Sequence, residues 1–129
     1  MSIAPLTPPA SALQGATVLS HLGVIAVEGA EAASFLHSQL TQDFTAFATS
    51  EARLAGYCSA KGRLLASFIG WKAAPERILL ACSAEVLPAT LKRLSMFVLR
   101  AKAKLSDASG STRLIGLAGD AAREWLGPD

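Results

Sequence analysis

No apolar run in this 129-residue chain approaches the roughly 18 residues of a membrane-spanning helix. Residues 1–12 contain Pro5, Pro8 and Pro9 and no basic residue, so they read as a frayed tail rather than a signal peptide. We assign the disordered tail to residues 1–14 and the folded body to residues 15–129. Cysteine is scarce: Cys58 and Cys82 both lie in apolar, strand-like runs, and there is no CxxC or Cys/His ligand spacing. A disulfide framework and a metal site are therefore not expected. Buried free thiols in a reducing compartment, the cytoplasm, are. Charge is also sparse. Only 17% of residues are charged and the net charge is +2, too mild to imply direct binding to nucleic acid. Nucleophile-elbow, phosphate-loop and dinucleotide fingerprints are all missing.

What the chain does have is hydrophobic content, 51% of residues. That is ample for one core, and it also suits a piece of a larger protein whose inter-domain faces lie bare. The organising stretch is residues 54–71, LAGYCSAKGRLLASFIGW: two apolar runs joined by Ser59, Ala60, Lys61 and Gly62. Gly62 suits the positive φ of a hairpin loop. In the second run Arg63, Leu65, Ser67, Ile69 and Trp71 share one face, and Leu64, Ala66, Phe68 and Gly70 the other. A strand so apolar on both faces is expected to be central and covered on both sides. An apolar face with a few polar atoms can wall a pocket, and it can equally be an ordinary core hairpin.

The remaining pattern predicts strands at 23–27, 54–58, 63–71, 78–82, 98–106 and 114–118, and helices at 30–40, 84–97 and 121–126. Ser83 is the expected N-cap of the second helix, although Pro88 lies deeper than the ideal first position. The fold class is α+β, a mixed and mostly antiparallel sheet with helices packed on it. His21 and His37 read as surface histidines without an orienting partner. Asp43 reads as a helix-end hydrogen-bonding group or a base. Arg100, Lys102 and Lys104 read as a solvated strand face or an anion-attracting row. Residue chemistry alone yields no reaction.

Three runs go further: 22–44 (LGVIAVEGAEAASFLHSQLTQDF), 55–68 (AGYCSAKGRLLASF) and 91–105 (LKRLSMFVLRAKAKL). Together they resemble the YgfZ branch of the glycine-cleavage T-protein (aminomethyltransferase) superfamily. The specific parts are Phe35, Leu36, Gln39, Thr41, Asp43, the Lys61-Gly62-Arg63 turn and the 96–100 run. The resemblance implies the N-terminal part of the T-protein/YgfZ fold, with tetrahydrofolate or a derivative as the cofactor. It also implies a regulatory role in iron–sulfur protein maintenance and tRNA modification, with iron–sulfur proteins as partners. T-proteins carry Gly-Gly-x-x-Asp-Asp after the hairpin turn, with an acid facing the folate. Ala66 and Ser67 stand there in this chain, and a hydroxyl cannot replace a carboxylate as a base. No catalytic residue is assigned. The resemblance puts folate-binding positions at Ser67, Ile69, Trp71 and Ser83.

The branch's cysteine motif, Lys-Gly-Cys-aromatic-x-Gly-Gln-Glu, belongs beyond residue 129. The chain is therefore expected to be an N-terminal portion, partnered by the C-terminal part or by a second copy. The alternative functions are a folate-dependent aminomethyltransferase and a pure interaction module.

Overall fold

The computed structural model describes residues 14–46, 48, 49 and 51–127. It falls into two compact units. In the smaller, β1 (Gly15–Val18) pairs antiparallel with β7 (Ile115–Ala118), followed by α3 (Asp120–Leu126). The Gln14 side-chain oxygen accepts a hydrogen bond from the Asp120 amide at 3.2 Å. Residues 1–13 of the expected tail lie outside the described residues. β1 itself was not foreseen: GATV is too short and too weakly patterned to announce a strand.

The larger unit, residues 21–112, holds one antiparallel sheet in the order β3-β4-β5-β2-β6. Its strands are β2 (Leu22–Glu28), β3 (Ala52–Cys58), β4 (Leu64–Ala74), β5 (Arg77–Ser83) and β6 (Lys104–Asp107). Helices α1 (Ala32–Gln39) and α2 (Leu87–Ser95) belong to the same unit. One core joins Phe35, Leu36 and Leu40 of the α1 region and Leu87 and Leu94 of α2 to Ile25, Val27, Phe68, Ile78 and Leu80 of the sheet. The α+β class is as expected.

The strand covered on both faces is not the expected one. In β4, Ala66, Phe68 and Gly70 are buried while Leu65, Ser67 and Ile69 are exposed, an ordinary period-2 alternation. Burial on both faces belongs to β2 and β5, whose runs at 23–27 and 78–82 are buried without a break. These two strands sit side by side in the sheet, with Val24 opposite Ala81 and Ile25 opposite Leu80. The two exposed leucines at the start of β4 misled the reading.

Two other expectations need correction. Residues 98–106 form a strand only over Lys104–Asp107. Before that, Glu31 captures the chain: its amide donates to the Lys102 carbonyl, and its carboxylate accepts from the Lys102 amide. With both backbone groups of Lys102 satisfied there, no ladder is needed. Helix α2 begins at Leu87, with Pro88 in its first turn, so Ser83 is not its N-cap. Ser83 ends β5 and folds the following turn: its hydroxyl lies 3.4 Å from the Glu85 amide, and its carbonyl accepts from Val86.

The outer edge of β3 is not bare. Leu40 bridges to Tyr57, the Thr41 amide donates to the Gly56 carbonyl, and the Thr41 hydroxyl accepts from the Gly56 amide. Gln42 adds a bond from its side-chain amide to the Leu54 carbonyl. These contacts occupy ladder groups that an edge strand would otherwise offer to another chain.

Candidate functional site

The exposed face of β3 and β4 is the candidate site. The pairing register aligns Leu54 with Ile69, Gly56 with Ser67 and Ala52 with Trp71. Leu54 is 75% exposed and Ile69 47%, while the opposite face of the same strands carries Ala55, Tyr57, Ala66 and Phe68 in the core. The hairpin therefore presents its apolar side chains in two directions. Gly56 places no side chain across from Ser67, which leaves that hydroxyl open.

Ser67 and Ser83 come together along one cleft of about 260 Å³, walled by Leu64, Leu65 and Val86. Ser67 also lines a neighbouring cleft of about 370 Å³ with Thr41, Leu54 and Leu64. Neither cleft reaches Ile69 or Trp71. Trp71 lies four positions along the strand from Ser67, a span of about 13 Å. Trp71 is half-buried between Ala52 and Leu79, its cross-strand partners. The structure thus gathers two of the four expected positions, sets Ile69 next along the same face, and leaves Trp71 at its far end.

The nearby acid of the motif region is committed elsewhere. Asp43 accepts hydrogen bonds from the Thr45 hydroxyl and, at 2.9 Å, from the Thr45 amide. These start the single 3₁₀ turn Phe44–Ala46. His37 Nδ1 lies 3.1 Å from the same carboxylate. The Thr45 hydroxyl bond, aided by the Thr45 amide and the charge of His37, holds the Asp43 carboxyl below the usual range. Of the two readings of Asp43, the hydrogen-bonding one describes what it does, and a carboxyl so stabilised as the anion is a weak base. His21 is exposed. Among the described residues no cluster of His, Cys, Asp or Glu could hold a metal ion.

Cys82 is 3% exposed, and burial, with Asp107 nearby, pushes its thiol from 9.0 up to about 11. A thiol so hard to ionise is a core side chain, not a nucleophile. Cys58 is half-buried and free. Arg100, Lys102 and Lys104 are all exposed, but only Lys104 lies on a strand.

A larger groove of about 600 Å³ lies beside α2 and contains none of the four expected positions. Reading α2 as an apolar stripe of leucines missed it. Residues 86–106 hold five cations and no acid, and that charge asymmetry was the available signal. Among the described residues no helix is long and apolar enough to cross a membrane.

Comparison with known proteins bears on the fold and the family. Over 108 residues the chain is 26% identical to the aminomethyltransferase of Thermotoga maritima, covering 84% of this chain and 30% of that protein. An uncharacterized protein of Haemophilus influenzae is 30% identical over 84 residues, 65% of this chain and 30% of its own. The crystal structure of the glycine cleavage system aminomethyltransferase T from Bartonella henselae superposes with a TM-score of 0.77 at 23% identity, over 86% of this chain and 30% of that one. The chain thus spans about 30% of the length of these relatives. Residues 14–128 match the GCVT N-terminal domain throughout, and the chain belongs to that family, within the aminomethyltransferase superfamily.

Proposed function

We propose that this chain forms part of a tetrahydrofolate-binding protein that regulates rather than transfers: a YgfZ-type member supporting iron–sulfur protein maintenance and tRNA modification. The observation that carries the reading is the pair Ala66 and Ser67. Ala66 is buried in the core and Ser67 stands on the exposed face, so no carboxylate comes from either position. Asp43 is held as an anion by Thr45 and His37 and is poorly suited to take a proton. Family membership makes a folate cofactor the natural ligand. The face of Ser67, Ile69 and Ser83 offers what a pteridine needs, an apolar surface with two hydroxyls. Trp71 closes the far end.

The alternative is aminomethyl transfer, which the name of the Thermotoga maritima relative favours. Acid–base help of the missing kind is worth about 10²–10⁴-fold in rate. The test is a tetrahydrofolate titration followed by tryptophan fluorescence, paired with a glycine-cleavage assay containing a lipoylated carrier, both on the protein as encoded by its complete reading frame. The expected result is saturable binding, weakened by Ser67→Trp, with no aminomethyl transfer. Robust turnover would promote the enzyme. Failure of folate to bind would overturn both readings and favour an interaction module.

A further inference from the structure

The groove beside α2 shares only Leu65 with the clefts at Ser67 and is lined by none of Ser67, Ile69, Trp71 and Ser83. Its volume of about 600 Å³ falls within the range of small-molecule sites. Tyr57, Leu65, Ala89, Met96 and Phe97 supply the apolar wall. Met96 is 66% exposed and Phe97 50%, large apolar groups turned outward at the mouth.

Thr90 is the telling residue. It occupies the buried stripe of α2 between Leu87 and Leu94, where an apolar side chain would serve the core, and it is only 6% exposed. Its hydroxyl has no hydrogen-bond partner among the described residues. No fully enclosed side-chain oxygen among them lacks a partner, so this one opens to the groove it lines. Open to the groove, this hydroxyl is within reach of the polar end of a ligand lying there. Lys92 and Arg93 stand exposed at the same groove, and neither forms an ion pair among the described residues. They belong to the acid-free stretch 86–106.

We infer that this groove is a binding site for a small amphipathic carboxylate: an apolar, ring-sized body lies against Phe97, Met96 and Leu65, Thr90 bonds the ligand's polar end, and Lys92 and Arg93 neutralise its charge. A singly charged carboxylate suits the place better than a phosphate dianion. The groove runs along the flank and C-terminal end of α2, whose dipole is negative there, and no helix N-terminus contributes amides.

The probes are 4-phenylbutyrate and its neutral counterpart 4-phenylbutan-1-ol, titrated into the ¹⁵N-labelled protein encoded by the complete reading frame and followed by amide chemical shifts. Saturable shifts are expected for the acid, centred on Tyr57, Thr90 and Phe97, with the alcohol about tenfold weaker. That factor is near the upper end for two exposed ion pairs. Lys92→Gln with Arg93→Gln should bring the acid down to the alcohol's affinity. Both residues are exposed, so the fold is kept. Thr90→Val keeps the shape and should weaken the acid about fivefold or more. Equal binding of acid and alcohol, shifts elsewhere, or no saturation at millimolar concentrations would overturn the inference. Concentration-dependent line broadening at Met96 and Phe97 without ligand would overturn it in favour of a second copy filling the groove.

Discussion

The ring of Phe44 lies against the backbone of Gly70, and the two residues explain each other. A Cβ built on Gly70 would lie 2.6 Å from Phe44 Cε1 and 3.1 Å from Leu80. Phe44 is fully buried, so its ring cannot swing aside. Gly70→Ala is expected to destabilise by about 1–3 kcal/mol, the usual cost of overpacking. Phe44→Ala is expected to cost about 3–5 kcal/mol through the cavity it leaves. Urea unfolding of both variants checks the pair, and the double variant should lose less than the sum because the two atoms meet.

Cys82 gives a sharper residue-scale test. Between pH 9 and about 11 the unfolded chain releases this thiol proton while the native chain keeps it. Stability must then fall as pH rises through that window. Melting temperature against pH should show the fall, and Cys82→Ala should flatten it. At pH 8 a thiol reagent is expected to label Cys58 in the native chain and Cys82 only on unfolding.

At the scale of elements, the turn between β2 and α1 is the tightest joint in the larger unit. Gly29 has φ of +135°, and a Cβ there would lie 2.1 Å from the Lys102 carbonyl oxygen, which is backbone and cannot yield. Gly29→Ala should therefore destabilise more than Gly70→Ala, since it adds backbone strain to a clash. Thermal melts of the two variants order them. The same joint explains why 98–106 was misread. Alternation of lysine and alanine is a genuine strand signal, but Glu31 lies 71 residues from Lys102 and no local pattern announces that it will bind that backbone. By contrast, β2 and β5 were legible because unbroken apolar runs bounded by polar residues have few other places to go. Ser67 and Ile69 were legible as one face by period 2 alone. Thr90 was not, because a threonine on a helix reads as surface until its neighbours are known. Thr41 and Asp43, which carried the family resemblance, hold the β3 edge and the 3₁₀ turn, so their specificity lies in architecture as much as in chemistry.

At the scale of the whole molecule, the larger unit keeps one face of the β3–β4 hairpin in its core and shows the other to solvent. Leu54, Leu64 and Ile69 are 75%, 61% and 47% exposed, a concentration of apolar side chains beyond the scattered ones of an ordinary surface. If this face serves binding rather than folding, charging it should spare the fold. Leu54→Lys with Ile69→Lys introduces two like charges directly opposite one another, a penalty of at most about 1 kcal/mol in a solvated pair. Little hydrophobic stabilisation is lost, since both side chains already touch water. The double variant is therefore expected to melt within a few degrees of the parent. Phe68→Lys, one position along the same strand, turns a charge into the core and should unfold the chain. A dye that reports exposed apolar surface should bind the parent and bind the Leu54/Ile69 double variant markedly less. If the double variant instead unfolds like Phe68→Lys, this face is covered in solution. Sedimentation of the parent over a concentration range then reveals whether a second copy covers it.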